Sequence, residues 1–283
     1  MKNIVKLALI FLLLTSLLSG CASSATTKEN TNRLREIQDR GYIEVVTEPA
    51  FAPFEFIDPS KDGDEKYIGA DIELAKYIAD KLEVELRIIP LEFGAVLSSI
   101  SEGKYDLAIS ALAYTPARAQ AMNMSKGYYF SEDSPGYGLL IRGEDEEIIR
   151  GPEDVKDKVM VAQSGSLQEV FVNEQITQYK DFKRVSATTD GFLMVQENKA
   201  DVCAVSISMA QLYINANPNA DLKIIEDFNF IVDPKTDGTR VGMPLGEDEL
   251  EEEINMIIDQ VLNDGSFEKW HKEYTKYAES LGL

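Results

Sequence analysis

Short apolar runs of strand length alternate with amphipathic runs of helix length along most of this chain, and no other feature narrows its fold so far. "YIEVVTE" (42–48), "VELRIIPL" (84–91) and "YDLAISAL" (105–112) read as strands. Between them, "GADIELAKYIADKLE" (69–83) and "GAVLSSISEGK" (94–104) read as helices. In the first helix Asp71 is placed as a cap, while Ile72, Ala75, Ala79 and Leu82 share a face. The alternation restarts at "EDVKDKVMVAQSG" (153–165), a short helix and a strand, and runs through "ADVCAVSI" (200–207) to "SMAQLYINAN" (208–217). Two such sets predict an α/β architecture of two lobes, each an open, mostly parallel sheet flanked by helices. The strand "TRVGMPL" (239–245) and two terminal helices are too few to build a core of their own, and read as a return to the first lobe.

Open α/β sheets bind ligands beyond the carboxyl ends of their strands. Glu48 to Phe51, Phe93, Arg118, Gln163 to Leu167 and Ser206 all fall there. Arg118 is the odd one. In "TPAR" (115–118) Thr115 is the N-cap and Pro116 the first helical residue, so Arg118 lies in the first turn, where the helix dipole disfavours a cation. An exposed arginine bends into water at little penalty. An inward one, beside helix amides, is a receptor for a carboxylate.

The first residues, "MKNIVKLALIFLLLTSLLSGCASS", carry Lys2 and Lys6, an apolar run from Leu7 to Leu18, then small residues. This fits a secretory leader better than a membrane span. Leu18-Ser19-Gly20-Cys21 resembles the lipidation signal of bacterial lipoproteins, and the polar "ASSATTKENTN" that follows suits a tether. Cys21 is therefore expected to be lipidated and to hold the protein at the extracytoplasmic face of a bacterial cell membrane. That leaves Cys203 as the other cysteine, without a disulfide partner, read as a small buried hydrophobe. The formal charge of −21 argues against nucleic acid, or an anionic lipid surface, as a partner of the body. The lone His271 supports neither a histidine metal cluster nor a triad, and no cofactor is expected.

In order, "EPAFAPFEF" (48–56), "GADIELAKYIADKL" (69–82), "GKYDLAIS" (103–110), "TPAR" (115–118), "GYYFS" (127–131), "VAQSGSLQE" (161–169), "NKADVCAV" (198–205) and "LNDGSFEKWHKEY" (262–274) resemble the amino-acid-binding subunits of ABC importers, the extracellular solute-binding proteins of family 3. The resemblance implies a type II periplasmic-binding-protein-like fold. It divides the chain into leader 1–20, lipidated cysteine and tether 21–33, lobe one 34–130 with 238–283, and lobe two 136–228. Hinges fall at about 130–136 and 229–238. It implies a monomer that closes on one small ligand and docks on a permease and its ATPase.

By the same resemblance, Arg118 holds the ligand's α-carboxylate. Glu48 stands where the family meets side-chain donors, and Phe51 and Phe93 are aromatic walls. Ala111 and Ala113, at the end of the same strand, fall among the ligand-contacting positions. Ser166, as N-cap, and Leu167 offer amides to the carboxylate, and Gln163 faces the cleft. Two positions depart from the pattern. Ala113 lacks the hydroxyl usual there, and Ser206 replaces the aspartate that pairs with the α-ammonium; Glu48 or Asp190 is left to compensate. The ligand expected is an amino acid or a related small carboxylate. A dehydratase-like enzyme on the same fold, with Glu48 as acid, and a ligand sensor are the alternatives.

Overall fold

In a computed structural model of the chain, the residues described are 32–130 and 135–282. The expected leader, Cys21, nearly all of the tether and residues 131–134 of the first expected hinge lie outside them.

The first half contains α1 (Arg33–Arg40), β1 (Tyr42–Thr47), β2 (Phe56–Ile57), β3 (Tyr67–Ile68), α2 (Ala70–Lys81), β4 (Glu85–Pro90), α3 (Phe93–Ser101), β5 (Leu107–Ala113), α4 (Pro116–Ala121) and β6 (Met122–Met124). The middle contains β7 (Tyr137–Arg142), β8 (Val159–Gln163), α5 (Leu167–Gln175), β9 (Asp181–Val185), α6 (Thr188–Gln196), β10 (Val202–Ser206), α7 (Ile207–Ala216) and β11 (Leu222–Ile224). The chain ends with β12 (Thr239–Pro244), α8 (Asp248–Asp264) and α9 (Ser266–Leu281).

Two five-stranded sheets result, ordered β4-β1-β5-β12-β6 and β11-β7-β10-β8-β9, with β2 and β3 as a separate hairpin. Each is mixed. Strands joined through helices are parallel: β1 to β4 and β5, and β8 to β9 and β10. The remaining pairings are antiparallel, including those of β12 with β5 and β6. The late strand β12 thus completes the first sheet, carried back by the connection from β11.

Helix burial follows the expected period. Along α8, Leu250, Ile254, Ile257, Ile258 and Val261 are buried, and Gly265, at φ 68°, ends the helix in the left-handed region open to glycine. With Ile43, Val45, Leu107 and Ile109 they form the main core of the first sheet. Burying each such side chain contributes about 1.5–3 kcal/mol. The second sheet is packed on both faces, around Leu139, Phe171 and Val202 on one and Leu140, Val161 and Phe192 on the other. Cys203 belongs to the latter core, as a small buried hydrophobe, and burial pushes its thiol pKa up.

Asp71 departs from its expected role. It lies one residue inside α2, whose N-cap is Gly69, and its carboxylate turns inward to meet Ala111 N at 2.7 Å and Tyr128 OH at 2.9 Å. Gly69 is required where it stands: at φ 127°, a Cβ there would lie 2.1 Å from the Phe54 carbonyl oxygen.

Candidate ligand-binding site

The two sheets meet where the segments at the carboxyl ends of β1, β5 and β8 come together, through Phe51, Ala113, Arg118 and Gly165. Thr115 caps α4 by accepting from Arg118 N at 3.1 Å, with Pro116 at the first position, as the sequence predicts. The Arg118 side chain turns inward and is 8 % exposed. Its Nη1 donates to Ala113 O at 2.7 Å and its Nη2 to Gly165 O, on the other sheet's side, at 3.0 Å. Its Cζ lies 5.4 Å from the centre of the Phe93 ring. Among the described residues it has no ion-pair partner, and burial lowers its pKa to about 10. Two carbonyls orient the fork but do not neutralise the charge.

Glu48 follows β1 and is 5 % exposed. It too has no ion-pair partner among the described residues. Gln163, the last residue of β8, lies near enough to favour its charged form, yet its pKa is pushed up to about 8. Burial is the chief cause, reinforced by Asp190 and Glu92 nearby and opposed by Gln163. Gln163 is itself held, donating from Nε2 to Ser186 O at 2.9 Å and accepting from Thr188 Oγ1 at 3.2 Å.

Phe51 pairs with Glu55 across a tight turn and stacks on Phe54 at 5.7 Å. It also packs against the second sheet's core of Phe192, Val205 and Met209. Phe93, the first residue of α3, is buried beside Val96 and Leu112. Ala113 reaches the other core of the second sheet. Ala111 stands at φ 46°, an uncommon setting for a residue with a side chain, and Asp71 holds its amide there.

Ser166 caps α5 by accepting from Glu169 N at 3.2 Å, and Leu167 opens that helix. The Ser166 amide is engaged within the turn, donating to Gln163 O at 3.3 Å. It is the Gly165 carbonyl, not that amide, that faces Arg118. Ser206 ends β10, pairs with Tyr137, and makes no side-chain cap for α7. The structure therefore brings Glu48 to Gln163, and Arg118 to Phe93, Ala113 and the 163–167 turn. Among the described residues no side-chain bond ties Ser206 directly to the rest.

Tyr137 was missed from sequence. It starts β7 opposite Ser206, and Arg118 lowers its pKa against the larger upward push of burial, so phenol and guanidinium feel each other. Its only sequence mark was its place beside a hinge. Asp190 lies near enough to raise the pKa of Glu48, while its own carboxylate accepts from Ala187 N at 3.3 Å. Among the described residues no group of three or more His, Cys, Asp or Glu could hold a metal ion.

The whole chain is similar to known amino-acid-binding proteins. An arginine-binding extracellular protein, ArtP of Bacillus subtilis, is 24 % identical over 95 % of this chain and 96 % of its own length. The histidine-binding periplasmic protein of Escherichia coli K12 is 27 % identical, covering 82 % of this chain and 86 % of its own. Among solved structures, the amino acid ABC transporter substrate-binding protein AbpA of Streptococcus pneumoniae, bound to L-arginine, superposes with a TM-score of 0.75 at 29 % identity over 86 % of this chain and 98 % of that one. All three are named for binding, none for a reaction. The model of the bacterial extracellular solute-binding proteins, family 3, matches residues 43–277, and the chain belongs to that family.

Proposed function

We propose that this protein is a lipid-anchored extracytoplasmic receptor that holds one cationic amino acid between two lobes and delivers it to an ABC importer. One observation carries the reading: Arg118, a buried cation, and Glu48, a buried acid, both face the turn that follows β8, with carbonyls and an amide beside them instead of counter-ions. An amino acid with a basic side chain supplies both missing charges. Its α-carboxylate takes the Arg118 fork and displaces Gly165 O. Its cationic end reaches Glu48 and Gln163 between the Phe51 and Phe93 walls. Ser206 accepts one hydrogen bond from the α-ammonium and Ala113 gives the carboxylate no hydroxyl, so the side-chain end bears more of the recognition.

The Arg118–Gly165 bond spans the two halves, so a ligand enters only when they part and water reaches the guanidinium. Lobe one is then 34–130 with 238–283 and lobe two 136–228, turning about 130–136 and 229–238. Cys21 carries the lipid, the working unit is a monomer, and a permease with its ATPase receives the ligand. The arginine-bound relative supports the ligand class.

Calorimetry with L-arginine, L-lysine, L-glutamine and agmatine (arginine without its carboxylate) tests the reading. A basic amino acid binds and agmatine does not. Equal binding of agmatine overturns the Arg118 assignment, and tighter binding of glutamine overturns the role of Glu48. Recovery of the Cys21→Ala protein in membranes as fully as the parent overturns the anchor.

A further inference from the structure

Beneath Glu48 and Ala111 lies a set of buried polar groups that ligand binding does not use directly. Glu55 is 1 % exposed and Asp71 fully buried. Glu55 Oε1 accepts from Ser110 Oγ at 2.9 Å, and Ser110 Oγ accepts from Glu48 N at 3.1 Å. Asp71 accepts from Ala111 N at 2.7 Å and from Tyr128 OH at 3.0 and 2.9 Å on its two oxygens. The second Glu55 oxygen, Oε2, is buried and meets no donor. Its acidic neighbour is Asp71, and the two buried carboxyls lie close enough to act on each other's titration.

Two neighbouring carboxyls, both buried and with no cation facing them, cannot both ionise; one must carry a proton. The groups facing the pair are Glu48 after β1, Ser110 and the Ala111 amide on β5, and Tyr128 after β6, backed by Thr239 of β12. None is a cation. Asp71 already collects an amide and a phenol, which favours its charge; Glu55 collects one hydroxyl. We infer that Glu55 is an un-ionised acid donating from Oε2 to Asp71, and that this one-proton pair is a positioning element holding the Glu48 amide and the left-handed Ala111 turn beneath the ligand. Burial and the neighbouring carboxylates push Glu55 well above the ordinary range, and burial raises Asp71 to about 6. The consequence for binding rests on the site reading above; the shared proton does not.

The sign of the pH effect follows from linkage. The folded protein keeps a proton that the unfolded chain releases above the ordinary glutamate value, so this contribution is fully present in acid and is lost as pH rises. Glu55→Gln keeps the bonding pattern, its Nε2 donating to Asp71 and its Oε1 accepting from Ser110, with nothing left to titrate.

The test compares the unmodified protein, Glu55→Gln, Glu55→Ala and Asp71→Asn by unfolding between pH 5 and 9, with L-arginine affinity measured in parallel. The unfolding constant of the parent rises by up to tenfold more per pH unit than that of Glu55→Gln. Glu55→Gln keeps ligand affinity, whereas Glu55→Ala and Asp71→Asn lose tenfold or more. Parallel unfolding curves for parent and Glu55→Gln, or failure of Glu55→Gln to fold, overturn the shared proton. A second measurement needs no change at Glu55. In the Glu48→Gln background, which removes the other raised glutamate, infrared spectra at pH 7 show a carboxylic-acid carbonyl band; its absence overturns the inference. If the proton signature is present but no amino acid binds the parent, the site reading fails alone. If binding is intact and the signature absent, the carboxyl pair fails alone.

Discussion

Arg118 donates across the inter-sheet junction to the carbonyl oxygen of Gly165 at 3.0 Å, so the residue best suited to hold a carboxylate also latches the two halves together. A ligand carboxylate offers that fork a charge where the peptide carbonyl offers a dipole. A bidentate pair with a carboxylate adds a second matched bond and direct attraction between opposite charges, so exchanging one acceptor for the other favours the bound state.

Replacing Arg118 by alanine removes the partner proposed for the ligand's buried carboxylate. Such truncations cost about 2–5 kcal/mol, and the affinity for a basic amino acid falls on the order of thirtyfold or more. Titration calorimetry reads this directly; unchanged binding places the carboxylate elsewhere.

Glu48 is protonated at neutral pH without ligand, its pKa pushed to about 8 chiefly by burial. A cation arriving there favours the ionised form, so binding at pH 7 releases about one proton. Affinity rises up to about tenfold per pH unit and levels off above about pH 8. The stability of the free protein is expected to follow: the raised carboxyl contributes fully below the ordinary glutamate value and loses that contribution as pH climbs toward 8. Calorimetry in buffers of different ionisation enthalpy counts the proton, and Glu48→Gln abolishes the release.

Ser206 ends its strand beside Tyr137 with no charge to offer an ammonium. Ser206→Asp strengthens binding of ordinary α-amino acids by roughly tenfold or more, since close charge pairs at interfaces couple by about 1.5–7 kcal/mol. A thermal-shift series over ligand concentration checks it; weaker binding throughout means the ammonium is held elsewhere.

At φ 75°, Gly165 sits where a Cβ would lie 3.1 Å from Leu97 of the other half. Gly165→Ala destabilises by about 1 kcal/mol or more from backbone strain alone. It also wedges the junction, so its loss of ligand affinity exceeds its loss in unfolding free energy per site occupied. Equal effects on melting with and without ligand would contradict the latch.

His271 packs against Phe54 and Tyr129, and burial depresses its pKa to about 4. The folded state therefore excludes a proton the unfolded chain binds, and stability falls as pH drops from about 6.5 toward 4. As the chain has one histidine, its ring signals titrate alone by NMR, and a midpoint near 6.5 would contradict this packing.

Sequence alone determined what depends on near neighbours. Strand and helix periods, the Thr115 and Ser166 caps and the glycine ending α8 are set within a few residues, where propensity and hydrogen-bond geometry act. The ordered motifs carried the family. What sequence could not decide depended on partners brought from far along the chain. Asp71, a cap by its spacing, became half of a buried acid pair because Glu55, Ala111 and Tyr128 converge on it. Gly165, unremarkable beside its serine cap, became the acceptor for an arginine forty-seven positions earlier. Whether a charge is buried, and against what, is fixed by the packing of elements distant in sequence, and only the tertiary structure decides it.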